Sequence, residues 1–272
     1  MTPLDVALIR APIDESLQSR LDQLEVFPEI ESTNSYLMQQ SPPPAGRFRV
    51  VLAEHQTAGR GLRERRWLSP RNSGVCLSMA YTFSATPPKP ACVTLAIGVA
   101  VARTLEGLGV RGVGLKWPND IVVRDGKLGG ILTETVSRPG REATVVVGVG
   151  INVDLRNAPD VRSIATRIGY VSDLASAMRD VPSRSAISAA LIESLFNTLA
   201  EFEADGFEPF LESWDRYDWL RGQRVSIDVP EGHANGTCEG VDHDGALILR
   251  TANGRRRILS GSVHLFRQKD PR

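Results

Sequence analysis

Apolar residues fall into two periodicities along this chain, and each predicts a different kind of element. Near-continuous apolar runs at 50–54 and 75–83 have the length of buried strands. Three more strand candidates lie at 114–123, 128–136 and 144–153, the first interrupted by Pro118. Asp125-Gly126 predicts a tight hairpin turn between the first two of these. Helical patterning begins at Ser32-Thr33-Asn34, where three N-cap side chains precede Tyr36-Leu37-Met38, and a run of prolines after Ser41 ends it. A small-residue helix is predicted over 93–108, stopping at Gly107 and Gly109. Leu191, Leu195, Leu199 and Phe202 share one face of an amphipathic helix over 187–203, and 207–217 predicts another.

Two regions lack these patterns. The first 25 or so residues read as a partly ordered lead-in, and 57–73 is rich in Gly and Arg with no apolar period. A loop that long in a compact domain is usually functional or disordered. After residue 221 the pattern changes to short strand-like runs at 224–229, 237–241, 246–250 and 256–260, separated by Gly, Asp and Asn turns. That predicts a small antiparallel barrel appended to an α+β domain.

Composition narrows the function classes. With 272 residues, 42% hydrophobic content and 32 basic against 32 acidic residues, the chain has no global charge to draw it to nucleic acid or an anionic membrane. The apolar stretch 91–102 is about half a membrane span and abuts Arg103. The N-terminus carries Asp5, Arg10 and Pro12 where a secretion signal needs an apolar core. Cys76, Cys92 and Cys238 are widely spaced and in no metal-ligand pattern, so a reducing cytoplasm is expected. Only four basic residues are lysine, and two of them, Lys116 and Lys127, lie close together. Lysine is a compact point charge where arginine is a planar fork, which marks this pair for tasks arginine cannot perform, or for coincidence.

Four segments carry candidate chemistry. In Gly59-Arg-Gly-Leu-Arg-Glu-Arg-Arg-Trp67, glycines allow close backbone approach, arginines suit phosphate or carboxylate, and the indole can cover an aromatic base; a solvated basic loop or nucleic-acid patch would read the same way. Lys116-Trp-Pro-Asn-Asp120 delivers an ammonium on a strand, turns at proline, and presents an amide and a carboxylate that suit a phosphate and Mg²⁺, or a plain Asx turn. Lys127-Leu-Gly-Gly-Ile-Leu132 places paired glycines in a strand, the mark of a ligand's approach or of a bulge. Gly148-Val-Gly-Ile-Asn152 is a core strand with two glycines and one buried amide.

Taken in order with Ser32-Thr33-Asn34 and Glu54-His-Gln-Thr-Ala-Gly-Arg-Gly61, these motifs closely resemble those of the biotin–protein ligases, strongly over residues 28–155 and more loosely to the C-terminus. The resemblance implies a mixed-sheet ligase domain of the biotin/lipoate ligase type with a small C-terminal SH3-like β-barrel. It divides the chain into a lead-in (1–27), a catalytic domain (28–220) and a C-terminal domain (221–272). It implies activation of biotin by ATP with Mg²⁺ to biotinyl-5′-AMP, then transfer to a lysine of a biotin carboxyl carrier protein. Ser32, Thr33, Asn34 and Gln56 are implied to hold biotin's polar ring, with Gly59, Arg60, Gly61 and Leu62 closing over it and Gly130 leaving room. Lys127 would hold the reacting carboxylate and phosphate oxygens, with Lys116 and Arg60 as further catalytic cations. Arg63, Arg65, Trp67, Lys116, Asn119 and Asn152 would line the ATP side, and Asp120 the metal. Relatives also dimerise, so a homodimer is expected; no DNA or membrane partner is, because fewer than about 30 residues precede Glu31 and they hold no basic recognition helix. Two positions depart from the family's loop pattern: Leu62 stands where an arginine is common and Glu64 where a glycine is, which is expected to loosen the seal over the adenylate. A lipoate or octanoate ligase, an Arg-loop nucleic-acid binder and a biotin binder without turnover are the rival readings.

Overall fold

All ten residues of strand β3 (Gly74–Phe83) are buried, because the strand runs through the middle of a sheet covered on both faces. The computed structural model describes residues 2–87, 89–137, 142–158, 171–229 and 232–266. Its main sheet has seven strands in the order β1-β2-β3-β7-β6-β5-β4, with β1 Leu21–Phe27, β2 Phe48–Ala53, β4 Val113–Lys116, β5 Asp120–Val123, β6 Gly126–Ser137 and β7 Ala143–Asn152. Only β1 and β2 pair in parallel; every other neighbouring pair is antiparallel. The sheet is thus mixed, in an α+β fold.

Alternation along the strands separates a core face from a working face. Val75, Leu77, Met79, Tyr81 and Phe83 of β3, with Val145, Val147, Val149 and Ile151 of β7, join the main hydrophobic core. Two helices cover that face, α4 (Val93–Gly107) and the long α6 (Arg184–Asp205), and both contribute to the same core. Burying each such aliphatic side chain stabilises the fold by roughly 1.5–3 kcal/mol, so the face is committed to packing. The intervening residues point the other way, and there α3 (Thr33–Gln39) covers Ala80 and Val146 with Leu37. Beyond α3 this second face carries Cys76, Ser78, Gly148 and Gly150 instead of large aliphatic residues, and it opens into a pocket.

Several elements differ from the sequence expectation. The stretch expected as a lead-in instead forms α1 (Val6–Arg10), α2 (Glu15–Gln18) and β1, with Ile9, Leu17 and Leu24 in the core. Asp5 and Asp14 cap the two helices through their carboxylates. The run 114–123 is two antiparallel strands, β4 and β5, joined through a cis Trp117–Pro118 peptide. The hairpin turn after β5 is centred one residue early, on Arg124 and Asp125, both left-handed (φ 49° and 60°), with Gly126 already in β6. Helix α7 (Leu211–Tyr217) and the short α5 (Leu174–Ala177) complete the domain.

The C-terminal strands β8 (Arg224–Val229), β9 (Gly232–Val241), β10 (Leu247–Thr251), β11 (Gly254–Ile258) and β12 (Ser262–Leu265) form one antiparallel sheet of order β11-β10-β9-β8-β12. Among the described residues no ladder joins β11 to β12, so the expected barrel is found as a five-stranded sheet. Strand β12 was not read from the sequence. The sheet docks on the ligase domain through the turn before β10: Trp117 Nε1 donates to Gly245 O (3.0 Å) and Lys89 pairs with Asp244 (2.6 Å). Gly245 has φ +73° and lies so near Leu95 and Cys92 that a side chain there would force them apart. Among the described residues one helical stretch, Pro90–Gly107, is long and apolar enough to cross a membrane, and 61% of it is buried as the central helix of this core.

Candidate active site

The pocket on the second face of the sheet has a volume of about 640 Å³. Strands β3, β6 and β7 form its floor, the start of α3 one wall, the 59–67 loop its cover, and residues 261–264 of the C-terminal sheet the far wall. Its floor exists because of glycines. A Cβ at Gly148 would collide with the Asn34 amide, and one at Gly150 with the Trp67 indole. Gly150 is paired with Gly130 on β6, where a Cβ would meet only ordinary contacts from Lys127 and Trp67. The two glycines of β7 are therefore seats for two particular side chains.

One half of the pocket is lined by uncharged hydroxyls and amides that hydrogen-bond one another, backed by one ion pair. Ser32 caps α3, its Oγ accepting from Ser35 N (3.3 Å). Gln56 Oε1 accepts from Thr33 N (2.9 Å) and lies 3.1 Å from Thr33 Oγ1. Buried Ser78 Oγ is 2.7 Å from Thr33 Oγ1 and 2.6 Å from Asn34 Oδ1. Asn34 Nδ2 donates to Glu134 Oε2 (3.0 Å) and Leu132 O (3.3 Å). Glu134 also receives both Nη groups of Arg60, at 3.0 and 2.9 Å, so the loop is strapped to β6 by a bidentate pair.

The other half is cationic. Lys127 Nζ lies 2.5 Å from Asp120 Oδ1 and 5.9 Å from the centre of the Trp67 ring. Lys116 makes no hydrogen bond or ion pair among the described residues. Burial pushes its ammonium below the usual lysine range, and the charges of Lys127 and Arg65 add to this while Asp120 opposes it. Arg63 and Arg65 both donate to Ser262 Oγ, at 2.7 and 2.9 Å, which ties the loop to β12. A half-buried ammonium without a partner among the described residues, Lys116, beside Lys127, two exposed arginines and a carboxylate already engaged, makes a receptor for phosphate oxygens.

The loop between these halves is ordered as a small closed hairpin. Gly61 N donates to Arg65 O (2.7 Å), Trp67 N to Gly59 O (2.9 Å), and Arg60 bridges to Arg66. At its tip Arg63 and Glu64 both adopt left-handed conformations (φ 57° and 60°), which cost a non-glycine residue about 1–2 kcal/mol. Glu64 thus occupies, at that cost, a backbone conformation suited to glycine.

Every expected site residue but one lines this pocket; the exception, Gly59, sits behind it, where a side chain would strike the Trp67 carbonyl. Some act through the fold. Asn119 Nδ2 donates to Ile131 O (2.8 Å), and Asn152 Nδ2 to Ser172 O (3.1 Å) and Lys127 O (3.4 Å), so both amides hold neighbouring backbone. Sequence reasoning missed Ser78, Glu134, Ser262 and His264. No period or motif marks them; Ser78 and Glu134 are polar residues at ordinary alternating strand positions.

The site thus sets a hydrogen-bonded network on a mixed sheet beside a cationic half, with the C-terminal sheet as one wall. The Biotin/lipoate A/B protein ligase family matches residues 26–152, and the Biotin protein ligase C terminal domain matches residues 221–265. The biotin–[acetyl-CoA-carboxylase] ligase of Mycobacterium tuberculosis is 34% identical over 275 residues, covering 94% of this chain and 97% of that protein. The bifunctional ligase/repressor BirA of Escherichia coli is 33% identical over 243 residues, covering 88% of this chain and 73% of its own length. Among solved structures, the biotin protein ligase from Aquifex aeolicus in complex with biotin and ATP superposes with a TM-score of 0.74 at 26% identity, over 91% of this chain and all of that one. The chain belongs to the biotin protein ligase family.

Proposed function

We propose that this protein is an ATP-dependent biotin–protein ligase. A carboxylate oxygen of biotin attacks the α-phosphorus of ATP and the bond to the bridging oxygen of pyrophosphate breaks, giving biotinyl-5′-AMP. The amine of a lysine on a biotin carboxyl carrier protein then attacks the acyl carbon, forming an amide and releasing AMP. The observation that carries this reading is the division of one pocket into a neutral hydrogen-bonding half, Thr33 to Gln56, and a cationic half around Lys116 and Lys127. The first suits a polar uncharged ring; the second suits two anions that must meet.

Charge and positioning carry the rate in this account. Lys127 stands between the halves, where it can neutralise the attacking carboxylate and a phosphate oxygen as charge builds. Asp120 holds Lys127 in place through their contact. Lys116, Arg63 and Arg65 bind the triphosphate, and Trp67 offers its indole to the base. Asp120 is the carboxylate of this pocket that would face a Mg²⁺ ion bound with ATP. Magnesium would arrive on the phosphates of ATP and compete with Lys127 for Asp120, the carboxylate closest to hand.

The finer expectations sit on this frame as part of the same proposal. Residues 28–220 form the catalytic unit and 221–272 the C-terminal unit. A second copy of the chain would pair with the first as a homodimer. Three buried free cysteines support a reducing, cytoplasmic setting. The strained tip at Arg63 and Glu64 would loosen the cover and release some adenylate, so bystander lysines should be labelled above a buffer control.

The test is ATP–pyrophosphate exchange driven by biotin, run beside lipoate and octanoate. Exchange with biotin alone is expected. Exchange driven by lipoate, or none at all, would overturn the reading.

A further inference from the structure

Glu134 sits at the end of a chain of hydrogen bonds whose direction it determines. Its carboxylate can only accept, and it faces Asn34 at 3.0 Å, so the Asn34 group turned toward it must be the NH₂. Asn34 Oδ1 therefore faces Ser78, and since that oxygen has no proton, the single proton of Ser78 must lie on the 2.6 Å contact. Ser78 then has only lone pairs for Thr33, 2.7 Å away, so Thr33 donates its own proton to Ser78. The backbone N–H of Thr33 already goes to Gln56 Oε1, and the 3.1 Å approach of the Thr33 hydroxyl to that same oxygen carries no proton while Thr33 donates over the shorter contact to Ser78. What remains on Thr33 is a lone pair, and what remains on Gln56 is its NH₂.

We propose that Glu134 is a positioning and specificity-determining residue, which through Asn34 and Ser78 fixes the Thr33 hydroxyl as an acceptor and so selects a bound acid whose ring presents an N–H. This rests on the reading of the pocket as a biotin site, since a ureido ring offers that N–H and a dithiolane or alkyl chain does not. The relay is rigid because Asn34 is 3% exposed and lies flat on Gly148, where any side chain would collide with it. Without the carboxylate, only Leu132 O at 3.3 Å would hold the direction, and a turned amide would make Ser78 an acceptor and Thr33 the receiver of its proton. Glu134 lies at the outer end of the relay, 20% exposed and outside the hydrophobic core, so replacing it leaves that core untouched.

The measurement is a cycle of two ligands and three proteins in pyrophosphate exchange. Biotin and biotin methylated on either ureido nitrogen are compared on the wild type, Glu134→Ala and Glu134→Gln, with ATP KM and melting temperature followed for each. Glu134→Ala should raise biotin KM at least about tenfold while kcat and ATP KM stay within about twofold. Its preference for biotin over the more affected methylated ligand should shrink by the same factor. Glu134→Gln, whose amide oxygen can still accept from Asn34, should recover most of that preference. If both ligands weaken equally in Glu134→Ala, Glu134 acts only through Arg60 and the loop, and the relay is wrong. Unchanged biotin KM would also overturn it. Wild-type protein without biotin-driven exchange would instead remove the biotin reading on which the relay rests.

Discussion

The two halves of the pocket differ in what their polar groups are already doing. On the acid side the hydroxyls and amides from Thr33 to Ser78 bond one another, so the shape is set before a ligand arrives. On the nucleotide side Lys116 has no partner among the described residues, while Arg63 and Arg65 share one serine oxygen. A neutral ring is recognised by fixed donors and acceptors, whereas a triphosphate is recognised by charge that burial has left uncompensated. The first half draws on strands and α3, and the second adds to Lys116 of β4, Asp120 of β5 and Lys127 of β6 a loop and a strand of the other sheet. Order of assembly differs accordingly: the acid site is a property of the sheet, and the nucleotide site is completed between domains.

Substitutions should divide along the same line. The largest effect belongs to the residue that serves both sides: Lys127→Ala should lower the kcat of exchange about 10²–10³-fold without altering the circular dichroism spectrum. Lys116→Ala should act on one side only, raising ATP KM about 10–100-fold. Because burial lowers the pKa of Lys116, the alkaline limb of kcat/KM for ATP should begin below the usual lysine range of 10.5, and Lys116→Arg should move it upward. An unshifted limb in that variant would assign it to another group. Ser262→Ala removes the acceptor shared by Arg63 and Arg65 and should raise ATP KM only a few-fold, about 1 kcal/mol, with biotin KM constant.

The smallest catalytic effect is expected outside both halves. Asp218, beside β4 where the chain turns toward the C-terminal sheet, has its pKa raised to about 6 by burial, and its Oδ2 has no partner among the described residues. The folded state therefore holds a proton that the unfolded state releases between about pH 4 and 6, and stability falls as pH rises through that window. Asp218→Asn should stabilise the protein by about 1–2 kcal/mol at pH 7, with no gain at pH 4 and both KM values unchanged. A gain that persists at pH 4 would show that packing, not charge, is responsible.

Both halves of the pocket were readable in the sequence in part, for physical reasons. Ser32 announces a helix start because capping is local, and Gly148 and Gly150 stand out because glycine is unfavourable in a strand unless something needs the space. Their partners give no such signal. Ser78 is one polar residue among apolar neighbours, and Glu134 lies in a strand of ordinary alternation. Strand β12 has four residues and no clear alternation, so nothing local distinguishes Ser262 from a loop residue. Helices α1 and α2, five and four residues long, are too short to form alone and exist here through caps and core contacts. Arg124 and Asp125 show the same limit, since neither is the glycine that a left-handed turn leads one to expect.

The most direct test of the divided pocket is calorimetric titration of ATP and of biotin, separately, into the wild type and Lys116→Ala. The account predicts that ATP binding weakens at least about tenfold while biotin binding changes less than about twofold. Equal losses for both ligands, or a loss confined to biotin, would contradict it.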